Sequence, residues 1–251
     1  MSRSSIQIIP LAELPEIGPG DDLARLIAEA VKRQGLRISE GDIFVVAQKI
    51  VSKAEGKIVR LDSIQPSKRA EQWAADYQKD ARVIELVLSE ASRIVRMERG
   101  VIVAETRHGF VCANAGVDVS NAPEETAILL PDDADRSTRA LQTQLKRNFG
   151  VHVAVIIADS FGRPWREGLV NVALGVAGIA PLVDYRGKRD ASGNMLQATV
   201  IARADELAAA AELVMGKTDR VPVAIIRGIA PVEDSGSGRD LIRSAATDIF
   251  R

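Results

Sequence analysis

The sequence predicts an α+β fold: mixed sheets with flanking helices, arranged as two intimately associated subdomains. Three observations lead there. With 251 residues, 46% of them apolar and 27% charged, the chain is long and apolar enough to bury a sizeable core. Helix-period and strand-type segments are both spread along its whole length. Their order lacks the regular strand–helix–strand repeat that a doubly wound parallel sheet imposes. Residues 1–62 and about 200–251 read as a discontinuous first subdomain, and about 63–199 as a subdomain inserted into it.

Taken in order, Ile6 to Ile9 is a short strand ending at Pro10, and the Gly18-Pro19-Gly20 turn leads to a helix start with Asp21 as the expected cap. Leu23, Leu26, Ile27, Ala30 and Val31 recur at helical spacing until Gly35, which suits the left-handed position past a helix end. Ile43 to Ala47 is an apolar, β-branched strand that opens into the basic segment Gln48 to Lys57, expected as a loop. Pro66 to Ser89 is helical, as one bent helix or two. Val101 to Ala104 and Phe110 to Ala113 form a hairpin around Arg107-His108-Gly109, followed by a polar loop to Asn121. A helix from about Arg136 to Asn148 stops at Gly150, and Val151 to Ala158 is the most apolar strand candidate, with Asp159 at its end. Residues 162–195 are glycine-rich and expected to be irregular. Ala204 to Met215 is an alanine-rich helix, Val221 to Ile226 a strand, and Arg239 to Ile249 a closing helix.

Composition narrows the function classes. A net charge of −1 supplies no field for nucleic acid or an anionic membrane. No stretch approaches the roughly 20 apolar residues of a membrane-spanning helix. Nor does the N-terminus carry a signal-peptide core, because Ile8-Ile9 is broken by Pro10. Cys112 is the single cysteine, which rules out an intramolecular disulfide and a thiolate zinc cluster and fits a reducing cytoplasm. His108 and His152 lack paired metal-ligand spacing; His108 reads as a turn residue and His152 as a satisfied core or edge histidine.

Chemistry gathers at four places. Asp118 and Asp159 stand at element ends where a hard cation wants oxygen ligands, with Ser160 adding a hydroxyl that completes a second ion's shell or caps the next turn; each aspartate read alone caps a turn, and the polar company each keeps is what points to a cation. Arg163 and Arg166 in Gly162-Arg163-Pro164-Trp165-Arg166 bring two guanidinium forks that match phosphate oxygens, or else form a surface loop with Trp165 packed on the core. Lys49, Lys53 and Lys57 recur every fourth residue, as a phosphate-neutralising loop or a solvated face. Ala211 to Thr218 is a near miss of the phosphate-binding loop, but Gly216-Lys217-Thr218 follows a helix, so Gly216 reads as a C-terminal cap. No dinucleotide fingerprint or serine-nucleophile elbow is present.

Leu14-Pro15-Glu16-Ile17 ahead of Gly20-Asp21-Asp22-Leu23, Lys49-Ile50-Val51-Ser52-Lys53-Ala54-Glu55-Gly56, Ala113-Asn114-Ala115-Gly116-Val117-Asp118 and Asp159-Ser160-Phe161-Gly162-Arg163-Pro164-Trp165-Arg166 together resemble the coenzyme F420-0:L-glutamate (gamma-glutamyl) ligase family. The resemblance spans nearly the whole chain. It implies an amide ligase that uses GTP to join L-glutamate, through a gamma linkage, to a phospholactyl-deazaflavin precursor. By the same resemblance Asp118 and Asp159 are ligands of one divalent ion, magnesium or manganese, and Ser160 of a second; a monovalent cation such as potassium is also implied. Leu14, Pro15, Glu16, Ile17, Lys53, Asn121 and the stretch from Met215 through Gly216, Lys217 and Thr218 to Pro222 are implied nucleotide contacts. Gln48 is another, standing where some relatives have a hydroxyl residue. Lys53, Arg163 and Arg166 are the expected catalytic cations. Because a carboxylate is a poor electrophile, an acyl phosphate is the expected intermediate. A stand-alone, cytoplasmic homodimer is expected. A ligase for another carboxylate metabolite and a non-catalytic GTP-binding module remain as alternatives.

Overall fold

A computed structural model describes residues 5–229 and 236–249. In chain order the elements are β1 (Gln7–Leu11), α1 (Leu23–Arg33), β2 (Ile43–Ala47), α2 (Gln48–Ala54), β3 (Ile58–Arg60), α3 (Lys68–Tyr77), α4 (Ala81–Glu90), β4 (Ala91–Glu98), β5 (Val101–Thr106) and β6 (Val111–Ala113). There follow β7 (Thr126–Ile128), α5 (Ala134–Phe149), β8 (Ala154–Arg163), β9 (Arg166–Ala177), β10 (Val183–Asp184), β11 (Val200–Ile201), α6 (Arg203–Met215) and β12 (Val223–Arg227). The fold is α+β as expected.

A five-stranded sheet of order β1-β12-β2-β8-β9 forms the centre, parallel between β2 and β8 and antiparallel elsewhere. Residues alternate across it because successive side chains of a strand point to opposite faces. Phe44, Val46, Val155, Ile157, Val223 and Ile225 bury one face under α1 and α5, and Ile43, Val45, Ile156, Ala158, Ala224 and Ile226 bury the other under α6. The alanines of α6 are what allow it to lie close: Ala204, Ala208 and Ala211 are fully buried against the sheet. A second core joins Leu61, Trp73 and Ala74 to Ile84, Val87, Ile102, Ala104, Ala127 and Leu129 under α3, α4 and the β4-β5-β6 sheet. Leu130, Ala134 and Leu174, with Phe110 and Phe161 against them, weld this body to the central sheet.

Several expectations are corrected. Asp22, not Asp21, caps α1 by accepting from the Arg25 N–H, while Asp21 accepts from Gly18. Pro10 lies inside β1; it is tolerated because β1 is an edge strand, where a missing N–H need not break the ladder. The basic segment after β2 is a helix, since Ile50 and Val51 bury against the core. Pro66 to Ser89 resolves into two helices that part at Gln78, which takes a left-handed conformation. Neither β4 nor the 12-residue β9 was expected. The closing helix from Arg239 is replaced by two short 3₁₀ turns, because Ser237 and Ser244 each draw nearby N–H groups into local caps. Ala154 to Ala177 belongs to the central sheet, so the strands return to it well before residue 200. The expected outer limits at residues 1 and 251 lie outside the described residues.

Candidate functional site

The sheet topology brings four distant segments to one edge. β1 and β2 both run antiparallel to β12, and β8 runs parallel to β2. The loop after β1, the start of α2 after β2, the polar end of β8 and the segment before β12 therefore share one side. Ala47 pairs in register with Ala158, which sets Gln48 beside Asp159. Crevices beyond the carboxyl ends of parallel strands are where α/β sheets take their ligands. Short backbone bonds tie the segments: Gly20 N–H to the Ala54 carbonyl and Ala47 N–H to the Pro222 carbonyl, both 2.8 Å.

Asp118 arrives from the second body. Its backbone exchanges two hydrogen bonds with Ile128, N–H to O at 3.0 Å and O to N–H at 2.8 Å. The loop that aims it has three successive residues at positive φ, Asn114, Ala115 and Gly116. Gly116 is required there twice over, since a Cβ would also meet Leu130 at 2.6 Å. Strain of this kind is held only where surrounding packing enforces it.

The charge of Asp118 reaches Asp159. Burial pushes the Asp159 carboxyl up to about 6; the Ser160 N–H pulls it back, Asp118 adds to the rise, and Lys49 and Lys217 oppose it. Asp118 is held the other way: burial acts to raise it, but hydrogen bonds from Lys49 and Ser120 outweigh that and keep it below the ordinary aspartate value. Lys49 Nζ lies 2.8 Å from Asp118 Oδ2. Beside them, Cys112 is buried and its thiol is pushed up to about 12, first by burial and then by Asp159, so it is protonated at neutral pH and no nucleophile.

A second polar cluster adjoins. Ser160 Oγ donates to Asn171 Oδ1 at 2.6 Å, Asn171 Nδ2 donates to Glu212 Oε2 at 2.8 Å, and Lys217 Nζ pairs with Glu212 Oε1 at 2.9 Å and donates to Ser160 Oγ. Gly216 caps α6, as expected, and delivers Lys217 here. Met215 is buried under the sheet, while Gly216 and Thr218 are exposed.

The remaining expected residues divide. Lys53 Nζ reaches out of a buried side chain to Glu16 Oε1 at 2.5 Å, joining α2 to the loop after β1. In that loop Pro15 and Glu16 are exposed while Leu14 and Ile17 pack on the core. Gln48 is buried and its amide nitrogen donates inward to Ser52 Oγ and the Leu129 carbonyl, at 2.6 and 3.1 Å. Asn121 is exposed, at positive φ, three residues past Asp118. Arg163 and Arg166 are not brought to the carboxylates. They face each other at the tip of the β8–β9 hairpin, roughly 13 Å along the strand from Asp159. Trp165 at that tip is 81% exposed rather than packed on the core. His152 is exposed in the turn before β8, not a core residue.

Asn171 and Glu212 were not anticipated. Asn171 faces Ser160 only through the register of β9, and Glu212 only through the docking of α6. Neither relation has a signal in local sequence.

As a donor set, these residues fit a hard divalent cation. Among the described residues no three His, Cys, Asp or Glu side chains converge, so the protein offers two carboxylates with hydroxyl and carbonyl oxygens. Magnesium and manganese accept few protein ligands and complete their shell with water and substrate phosphates; zinc prefers a fuller nitrogen and sulfur set. Burial first, and the Asp118 charge after it, disfavour the ionised form of Asp159, and a bound cation would favour it.

Residues 12–228 match the family described as F420-0:Gamma-glutamyl ligase. The chain is 47% identical to the coenzyme F420:L-glutamate ligase of Methanopyrus kandleri, over 98% of each chain. It is 47% identical to the one from Methanothermobacter thermautotrophicus, over 98% of this chain and 99% of that one. Identity to the one from Methanocaldococcus jannaschii is 42%, over 99% and 98%.

Proposed function

The chain belongs to the F420-0:gamma-glutamyl ligase family, and from that premise we propose that it is a ligase joining L-glutamate by a gamma linkage to coenzyme F420-0. GTP is the proposed phosphoryl donor, with GDP and phosphate as products. What supports this reading is Lys49, which pairs with Asp118 and whose charge, like that of Asp118, bears on Asp159 at the strand ends where the loops after β1 and before β12 also converge.

The acceptor carboxylate attacks the γ-phosphorus, GDP leaves, and the acyl phosphate forms. The glutamate amine then attacks the acyl carbon, phosphate leaves with the C–O bond, and the amine proton passes to solvent. Both steps ask for positioning and charge stabilisation more than for a protein nucleophile. Asp118 and Asp159, with Ser160, would hold one or two divalent ions, which would shield the phosphates. The segments Leu14 to Ile17 and Met215 to Thr218, through their exposed residues Pro15, Glu16, Gly216 and Thr218, are proposed to receive the nucleotide together with the exposed Asn121. Lys53, steered by Glu16, neutralises the phosphate charge that grows on the leaving nucleotide.

At the hairpin tip, Arg163 and Arg166 are assigned to an anionic group remote from the transferred phosphoryl. The exposed Trp165 and Leu169 beside them are where we place the contact of a homodimer.

Mass spectrometry of F420-0 after incubation with GTP, glutamate and manganese tests the reading. A product heavier by one or more glutamyl units is expected, and hydroxylamine added during turnover should trap the acyl group as a hydroxamate. Glutamylation of some other carboxylate but not of F420-0 would replace the acceptor. Phosphate release independent of both glutamate and acceptor would remove the ligase assignment.

A further inference from the structure

Two lysine ammonium groups sit among the oxygens expected to bind cations. Lys49 Nζ has Asp118 Oδ2 at 2.8 Å, the Ser120 hydroxyl at 2.6 Å and the Ser120 carbonyl at 3.0 Å. Lys217 Nζ has Glu212 Oε1 at 2.9 Å and Asn171 Oδ1 at 3.5 Å, and it donates to Ser160 Oγ. Each nitrogen thus faces three oxygens of the kind a hard cation takes. Each also sits on a residue assigned to one of the two expected ions: Lys49 on Asp118, Lys217 on Ser160.

We infer that Lys49 and Lys217 are the resident counter-ions of the metal-free site, and that metal loading is an exchange in which each divalent ion enters as an ammonium swings away. The inference rests on the reading of Asp118, Asp159 and Ser160 as cation ligands. Its physical basis is that paired carboxylates at a partly desolvated edge are costly without a positive partner. A lysine can fill that role reversibly, because its charge is a compact point on a flexible four-carbon stem.

Exchange has a directional consequence. A divalent ion arriving alone must break the ammonium contacts, with nothing to receive the displaced lysines. Arriving with a triphosphate, it leaves them facing phosphate oxygens. Metal and nucleotide therefore favour each other's binding beyond their direct coordination, and by linkage the effect is reciprocal.

The decisive variant is Lys49→Met, measured as manganese binding to the purified chain through the electron paramagnetic resonance signal of the free ion. Without nucleotide, Lys49→Met should bind manganese on the order of tenfold more tightly than the parent, and Lys49→Arg should restore weak binding. With GDP present the advantage should shrink or reverse. In chelator, Lys49→Met should melt below the parent, and manganese should close the gap.

Equal or weaker manganese affinity in folded Lys49→Met would overturn the exchange, as would an unchanged melting temperature in chelator. Should Lys49→Met fail to fold even with manganese, Lys217→Met decides, with the same pattern expected and the same reversals fatal. If the parent and the variants all ignore millimolar manganese, the cation site itself is wrong; if all bind it equally, only the exchange fails.

Discussion

His108 sits in the turn between β5 and β6 with its two ring nitrogens shut off from solvent. Burial, then the neighbouring Arg107 charge, holds its pKa below the usual histidine value. A folded-state value below the unfolded one near 6.5 means that the unfolded chain takes up the proton first. Stability is therefore fully present above about pH 6.5 and is lost as pH falls through the depressed value. His108→Phe should flatten the melting temperature between about pH 5 and 7, where the parent declines; an equal decline in both would exclude His108 as its source. Asp118 and Asp159 were legible one at a time, as carboxylates at element ends. Their partnership was not, because 40 residues of helix, strand and loop separate them in sequence.

The end of the strands opposite the site carries an ion pair. Arg227 at the end of β12 donates to both oxygens of Asp42, at 2.8 and 2.6 Å, just ahead of β2. Asp42 is 1% exposed and also accepts from the Ser39 N–H at 2.9 Å. Removing the arginine strands a buried carboxylate, so Arg227→Met should cost about 3 kcal/mol in a denaturant titration. The double variant with Asp42→Asn should recover part of that loss; no recovery would locate the cost elsewhere. β9 shows why an element escapes sequence reading. Gly168 and Gly175 look like breakers, yet Gly175 is there because α5 lies against it: a Cβ would fall 2.4 Å from the Ala134 carbonyl oxygen. The apolar first half of β8, Ala154 to Ala158, was by contrast legible from composition alone; its polar continuation to Arg163 was not.

Across the whole molecule, the candidate site lies where the central sheet meets the second body, with Asp159 from the one and Asp118 from the other. A ligand that binds there holds the two bodies together and stabilises only the folded chain. At a hundredfold excess over Kd, manganese with GTP should add about 2.7 kcal/mol, a rise in melting temperature of roughly 5–10 °C for a chain of this size. Asp159→Asn, nearly isosteric, should melt as a folded protein, show none of that rise and lose metal-dependent turnover. An undiminished shift in that variant would refute the assignment of Asp159.

By itself, the sequence determined the α+β class, the apolar strand at Ile43 to Ala47, the helices around Leu23 to Val31 and Ala204 to Met215, and the family, because periodicity and short motifs are local and survive reading one segment at a time. Only the tertiary structure decided which polar groups meet. Strand order carries the loops after β1 and β2 and before β12 to one edge, strand register sets Asn171 on Ser160, and helix docking brings Glu212 and Lys217 beside them. Those relations arise from burying apolar faces far from the polar groups they align, and no local pattern encodes them.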